Sequence, residues 1–398
     1  MADGARPLFV RLCVTAGCAY GSYAMCRSPV LPLLARSLGA RPELVGLVVG
    51  ASTLTGVLLK LPAGALSDVI GRRTLLLAGM LIFALLPFAY LPVATLAMLV
   101  ALRIAHGGAT AIFGPVASAT LSDLAPASER GRWLGTYSTV QGAGQAIGPV
   151  LAGYLLVRHG FHATFVVSGC AGVVAFAIMS TWPRDARRTP TGDLWRQLAQ
   201  GVREVSQDAR TLTVSFAQAG QFVLYGSLNG FLPIFAVETL RLTAFQAGLA
   251  FGVQTVTTLL ARPVFGMVSD RVGRRPLILA GLATCGAAVW AVSLADGMAS
   301  IAAASAAYGA GLAVTTSATT AAITDLTRRI RYGAAHGVFG TIYDIGDALG
   351  PIVAGAVVGA VGYRTMFRAA AVTAFVTALV FWRLSRNWKP VLNAGSTS

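Results

Sequence analysis

Six charged side chains stand inside stretches that are otherwise apolar: Arg27, Lys60, Arg103, Arg262, Asp344 and Asp347. A charge in such a setting must be paired, hydrated or used, because a lone ion out of water is costly. The chemistry open to this set is ion pairing and proton exchange. A carboxylate that loses its cationic partner can take up a proton and release it when the partner returns. Asp344 and Asp347, at i and i+3 of a helix, share one face. Lys60 precedes Asp68 by roughly 12 Å of helix, at about 1.5 Å per residue, and Asp344 enters its own helix to a comparable depth. Other chemistries find no constellation. The histidines His106, His159, His162 and His336 are scattered, and no Gly-x4-Gly-Lys-Ser/Thr phosphate loop occurs. No catalytic group, metal site or cofactor is expected, and the chain does not read as an enzyme.

The elements that carry these charges are membrane helices. The 398 residues are 55% hydrophobic and 12% charged, with mean hydropathy +0.69, against about 25% charged in a soluble protein. Apolar runs near the length of a bilayer crossing favour helices over barrel strands, which alternate over about ten residues. Twelve spans are expected, at 8–33, 42–66, 74–92, 94–122, 132–157, 161–182, 210–237, 245–268, 276–295, 298–324, 335–360 and 364–386. The chain is also a tandem duplication. Gly64-x-Leu66-x-Asp68-x-x-Gly71-Arg72-Arg73 returns as Gly266 to Arg275, and Gly46/Gly248, Gly107/Gly309, Asp123/Asp325 and Gly148-Pro149/Gly350-Pro351 keep the same offset. This divides the chain into a six-helix half at 1–182, a linker at 183–209, a second half at 210–386 and a disordered tail at 387–398. Leu194, Leu198, Val202 and Val205 recur at helical spacing, so an amphipathic surface helix is expected in the linker. The five cysteines lie in apolar runs and read as packing residues, not disulfides, and no cleavable leader is read from the first run.

The net charge of +16 is an orientation signal and does not point to nucleic acid. Loops on one side carry most of the arginines, among them Arg72, Arg73, Arg130, Arg132, Arg271, Arg274 and Arg275. The other side carries Arg36, Arg41, Arg158, Arg241, Arg364 and Arg368. By the positive-inside bias both termini are cytoplasmic. An arginine- and alanine-rich, lysine-poor composition suggests a GC-rich bacterial genome, hence a bacterial cytoplasmic membrane.

Three motifs resemble the major facilitator superfamily, and within it the twelve-helix drug:proton antiporters. The first is the loop signature around Asp68, with Arg72 and Arg73; Val69 departs from the basic residue usual there, which Arg271 keeps in the second copy. The second is Arg103-x-x-x-Gly107 in the fourth span, with His106 where the family often has glutamine. The third is Gly135, Gly144, Gly148-Pro149 and Gly153 in the fifth span, with Ala152 departing from the pattern; Gly337, Gly346, Gly350-Pro351, Ala354 and Gly355 repeat it in the eleventh.

The resemblance implies an all-α fold of two six-helix halves, with substrate held between them. It implies that Asp68, Arg72, Arg73, Asp123 and Arg130 form a latch, that Arg103 serves proton coupling, and that the fifth-span glycines go with export. It also makes the second and eleventh spans neighbours across the halves, so Lys60 is expected to pair with Asp344 or Asp347 as the proton-carrying device. Arg262, the duplicate of Lys60, is expected to face the fifth span near Gln141 or Gln145. Tyr20, Tyr23, Gln218, Gln221, Tyr225, Asn229 and Gln254 are candidates to line the cavity, with Arg27 and His106, a group able to titrate near neutral pH. The first six spans hold no interior acid. In the family it resembles, exporters of lipophilic cations often rely on such an acid, so the resemblance, with Arg27, implies a neutral, zwitterionic or anionic substrate. The expected function is proton-coupled export of a small organic molecule by a single chain in the lipid bilayer. The alternatives are a siderophore or metallophore exporter and an uptake symporter of the same fold.

Overall fold

The structure is a computed structural model that describes residues 2–126, 129–183, 203, 206–327 and 332–388, without the side chains of 2–4, 61, 64, 65, 68, 69 and 332–334. The expected linker helix and tail fall almost wholly outside the described residues, as does the side chain of Asp68.

Among the described residues there is no strand. The helices are α1 (Ala2–Arg27), α2 (Val30–Ser37), α3 (Pro42–Ile70), α4 (Arg72–Ala89), α5 (Leu96–Leu124) and α6 (Arg130–Ser180) in the first half. The second half has α7 (Ala209–Ile234), continued by a π-turn at Phe235–Thr239, then α8 (Ala244–Val272), α9 (Arg274–Leu294), α10 (Met298–Leu326), α11 (Tyr332–Val361) and α12 (Tyr363–Leu384). Among the described residues eleven helical segments are long and apolar enough to cross a membrane. The 51-residue α6 is two crossings, because Gly160 leaves helical geometry at φ 78°, ψ −173°. The expected twelve spans are therefore present. Gly160 and its repeat partner Gly362 (φ 82°) turn the chain at one face, Gly71 (φ 101°) and Gly273 (φ 96°) at the other. Only glycine takes these angles without strain. Elsewhere side chains cap the helices: Thr95 accepts from the Met98 amide, and Thr243 with Gln246 forms a capping box.

One span differs from expectation. The first is broken between Arg27 and Val30, at Ser28-Pro29, because proline has no amide hydrogen to continue the ladder. The break sets Arg27 in the last turn of α1, where the helix dipole favours a cation.

Among the described residues the halves share an apolar core at one end only. A shared core holds Val45, Val48 and Val49 of the first half with Leu228, Phe231 and Phe235 of the second. Towards the face that bears the Gly71 and Gly273 loops, here the basic face, each half has its own core. One is built on Leu76, Phe113 and Trp133, the other on Ile278, Ala318 and Phe339. Glycines follow the same division. At the opposite face a Cβ on Gly46 would strike the Pro351 carbonyl of the other half, and one on Gly248 would strike the Pro149 carbonyl. Towards the basic face Gly135 and Gly266 have nothing within 4 Å of that position. Among the described residues the molecule is closed at the opposite face and parted at the basic face. Within each half the motif glycines let helices touch: Gly144 lies against the Gly17 carbonyl, Gly346 and Gly350 against those of Ala219 and Val223.

Candidate functional site

A cavity of about 300 Å³ lies between the halves. From the first half it is lined by Tyr20, Tyr23, Arg27, Ser52, Thr53, Lys60, Gly142 and Gln145, and from the second by Phe222, Tyr225, Asn229, Phe251, Gln254, Arg262, Asp344 and Asp347, among others. The lining is mixed: aromatic surface with a few fixed charges, the composition of a small-molecule site.

Two ion pairs cross between the halves here. Lys60 Nζ donates to Asp344 Oδ2, one of the two pairings expected for Lys60. Asp347 takes a different partner. Its two carboxylate oxygens accept from Arg27 Nη2 at 3.2 and 3.0 Å, and Oδ2 also accepts from Thr53 Oγ1 at 3.1 Å. The helix register explains both. Asp344 and Asp347 lie one turn apart on α11, and the close packing of Gly46 and Gly50 on α11 brings α3 alongside. The break after Arg27 then lets α1 present its guanidinium to the next turn. Arg27 lies 5.6 Å from the Tyr225 ring centre, and Lys60 lies 5.9 Å from that of Tyr343. Arg27, expected at the cavity, lines it with its charge neutralised across the interface.

Arg262 lines the cavity together with Gln145 on the facing α6, as expected; Gln141 does not line it. Asn229 lines it while its amide is held by the Tyr225 carbonyl at 2.8 Å and its side-chain oxygen by Ser28 Oγ at 3.3 Å. Gln254 lines it as well. Gln221 and Gln218 do not. Gln221 donates to Tyr308 Oη at 2.9 Å and accepts from Gln218 Nε2 at 2.9 Å, inside the second half. Both are at most 1% exposed. Polarity marks a residue for a buried network as readily as for a cavity.

His106 and Arg103 also stand behind the cavity wall, each fully buried. His106 Nδ1 lies 3.3 Å from Tyr90 Oη, and its ring meets that of Tyr23 edge-on at 4.9 Å. Arg103 donates to Ser52 Oγ and sits 5.6 Å from the Tyr23 ring centre. Tyr23 and Ser52, which line the cavity and lie 3.3 Å apart at their hydroxyls, both contact Arg103 from the cavity side.

At the basic face the two motif copies make matching contacts. Arg72 pairs with Asp123 at 2.9 Å; Arg274 pairs with Asp325 at 2.9 Å and with Asp270 at 2.6 Å. Arg73 reaches the Ser180 carbonyl at 3.2 Å, and Arg275 the Trp382 carbonyl at 3.2 Å. Each arginine pair thus ties its loop to the ends of two other helices in the same half. Arg130 is exposed at the start of α6; its expected partner Asp68 lies outside the described side chains.

The opposite face carries a bridge that sequence reasoning missed. Arg36 binds Glu238 at 2.7 and 3.3 Å, and Tyr363 Oη donates to the same carboxylate at 2.9 Å. Arg36 and Glu238 occupy duplicate positions of the repeat, so they face each other across the axis relating the halves. That offset was the available signal.

The major facilitator superfamily model matches residues 12–242 and 214–396. The chain is 22% identical over 363 residues to the uncharacterised MFS-type transporter MJ1560 of Methanocaldococcus jannaschii, covering 90% of this chain and 94% of that protein. It is 24% identical over 384 residues to the multidrug resistance protein MdtG of Citrobacter koseri, covering 92% of each. The quinolone resistance protein NorA of Staphylococcus aureus is 22% identical over 204 residues, half of either chain (50% and 52%). Among solved structures, a bacterial homologue of the lysosomal transporter Spinster, inward-facing and unoccupied, superposes with TM-score 0.82 at 16% identity over 96% of this chain and 97% of that one. The nucleoside transporter NupG does so with TM-score 0.77 at 14% identity, over 96% and 100%. With both halves matched by the family model and the two-domain, twelve-span architecture in place, this chain belongs to the major facilitator superfamily, a family of membrane transporters and not of enzymes.

Proposed function

We propose that this chain exports a small organic molecule across the cytoplasmic membrane of a bacterium in exchange for protons. The halves rock so that the central cavity opens to either side in turn. The basic face is cytoplasmic, with both termini there, by the distribution of arginines. The open end of the cavity would then face the cytoplasm, where an export substrate loads. Multidrug and quinolone resistance proteins among the relatives favour export.

The observation that carries the coupling is the pair of ion bridges, Lys60–Asp344 and Arg27–Asp347, set between halves that must move apart. Separation strips a carboxylate of its cation. A carboxylate alone at that depth is stabilised by taking a proton, which links rocking to proton transfer. The latch residues Asp68, Arg72, Asp123 and Arg130 would hold the basic face closed in the other half of the cycle. Arg103, in contact with Tyr23, is the proposed third contributor to coupling, and the carrier works as a single chain.

The test is substrate-triggered proton movement in proteoliposomes loaded with a pH-sensitive dye. Screened compounds include organic anions, chelators and common antibiotics, with an Asp344→Asn, Asp347→Asn double variant as control. Proton release for one compound class, absent from the control, is the expected result. Substrate accumulation with no proton movement would sink the coupling.

A further inference from the structure

The repeat superposes Lys60 on Arg262, Arg27 on Asn229, Asp344 on Gly142 and Asp347 on Gln145, and all of these line the cavity. The two interfaces between the halves can therefore be compared position by position. On the side where α3 meets α11, Lys60 of α3 and Arg27 of the adjoining α1 both meet acids. Where α6 meets α8, one cation is retained as Arg262 and neither acid is. Glycine stands where Asp344 would be, and glutamine where Asp347 would be.

Arg262 is exposed to the cavity and makes no ion pair among the described residues. The titratable side chains that face it are the phenols of Tyr225 and Tyr343. It also borders a recess towards the basic face, whose one acid, Asp325, is already engaged by Arg274 at 2.9 Å. Among the described residues the cavity is lined by three cations and two carboxylates, and both carboxylates are consumed by the other two cations. One guanidinium is left over, at membrane depth, where an uncompensated charge is costly. Arginine's planar fork of donors suits a carboxylate, sulfonate or phosphate.

We propose that Arg262 docks the acidic group of the transported molecule, an organic monoanion whose charge takes the place that Asp344 fills against Lys60. Phe222, Tyr225, Phe251 and Leu259 line the same cavity and give its body an apolar, partly aromatic seat. This names the substrate class for the exporter proposed above and rests on that reading for transport, though not for binding.

The test is equilibrium binding to the purified full-length protein in detergent, with no proton gradient, read by thermal stabilisation across a ligand titration. The probes share one ring system: 2-naphthoate, 2-naphthalenesulfonate and 2-naphthyl phosphate against neutral 2-naphthamide and cationic 2-naphthylmethylammonium. At least one anion should stabilise the wild type more than the amide and the ammonium do. Arg262→Gln should weaken it by about tenfold or more, the loss of a charge-assisted hydrogen bond, and Arg262→Lys by less.

Gly142→Asp is the independent variant, since it rebuilds the missing acid. Its Cβ meets the Leu259 Cδ2 methyl at 2.6 Å, the far end of a side chain that can turn aside. This variant should also lose anion binding. Equal affinity for the ammonium or the amide, anion affinity unchanged in Arg262→Gln, or no binding by any anion would each overturn the proposal. Anion binding without proton release in proteoliposomes would sink antiport and leave this inference standing; proton release driven by a cation would do the reverse.

Discussion

Replacing Asp347 by asparagine removes one charge from the bridge that joins α1 to α11 and leaves Arg27 facing a neutral amide. The pair is well enclosed, with 16% of the Arg27 side chain and 7% of the Asp347 side chain exposed. Breaking such a pair by removing one partner costs about 3–5 kcal/mol, mostly the penalty of the stranded charge. Water in the cavity can reach Arg27, which places this case near the lower end, about 3 kcal/mol. Arg27→Gln alone should cost a similar amount, because it strands Asp347 one turn from Asp344. The double variant removes both charges, and only hydrogen bonds worth about 1 kcal/mol are then lost. It should therefore be more stable than either single variant by about 2 kcal/mol. Reversible unfolding in mixed micelles on titration with sodium dodecyl sulfate, followed by the fluorescence of the six tryptophans, measures all four corners of the cycle. Additive losses in the double variant, or an Asp347→Asn protein as stable as wild type, would refute the reasoning.

Asp344→Asn and Asp347→Asn should each abolish or flatten the pH dependence of substrate-triggered proton release; wild-type pH dependence in both single variants would remove these acids from coupling. Gly46→Ala puts a methyl against the Pro351 carbonyl and should prise open the opposite face. Several-fold faster alkylation of a cysteine placed at Val49, in a background without native cysteines, would report it. Gly266→Ala, with open space around its Cβ position, should not raise that rate, and equal effects from both would mean that glycine contact is not what closes the face. Glu238→Gln should have only a small effect in the same assay. With about a third of each partner exposed (34% and 36%), the bridge to Arg36 is worth about 0.2–1 kcal/mol, so a population shift of about tenfold or more would contradict that accounting.

Residues whose placement follows from position along a helix were legible in the sequence. Lys60 and Asp344 lie at matched depths, and depth is set by a fixed rise per residue, so with the helices made neighbours by the resemblance Lys60 was expected to meet Asp344 or Asp347. Helix rotation was not legible. The apolar stripe that reveals which face of a soluble helix is buried is lost where lipid and protein interior are equally apolar. His106, Gln221 and Gln141 were for that reason expected at a cavity they do not line. The counter-ion of Arg27 was not legible for another reason: Asp347 lies in the other half, beyond the reach of any local pattern. The charge of Arg27 is spent on Asp347, which leaves Arg262 as the cavity cation with no acid beside it among the described residues.

By itself the sequence determined the twelve helices, the duplication, the side on which arginines gather and the inventory of buried charge. Each of these follows from local periodicity, composition or a constant offset. Tertiary structure alone decided which charges neutralise each other, that Arg36 and Glu238 meet across the repeat axis, and that the halves touch at one face and part at the other. Those outcomes depend on contacts between two halves that can pack in more than one arrangement, and on glycine surfaces whose fit is a property of paired helices and not of either helix alone.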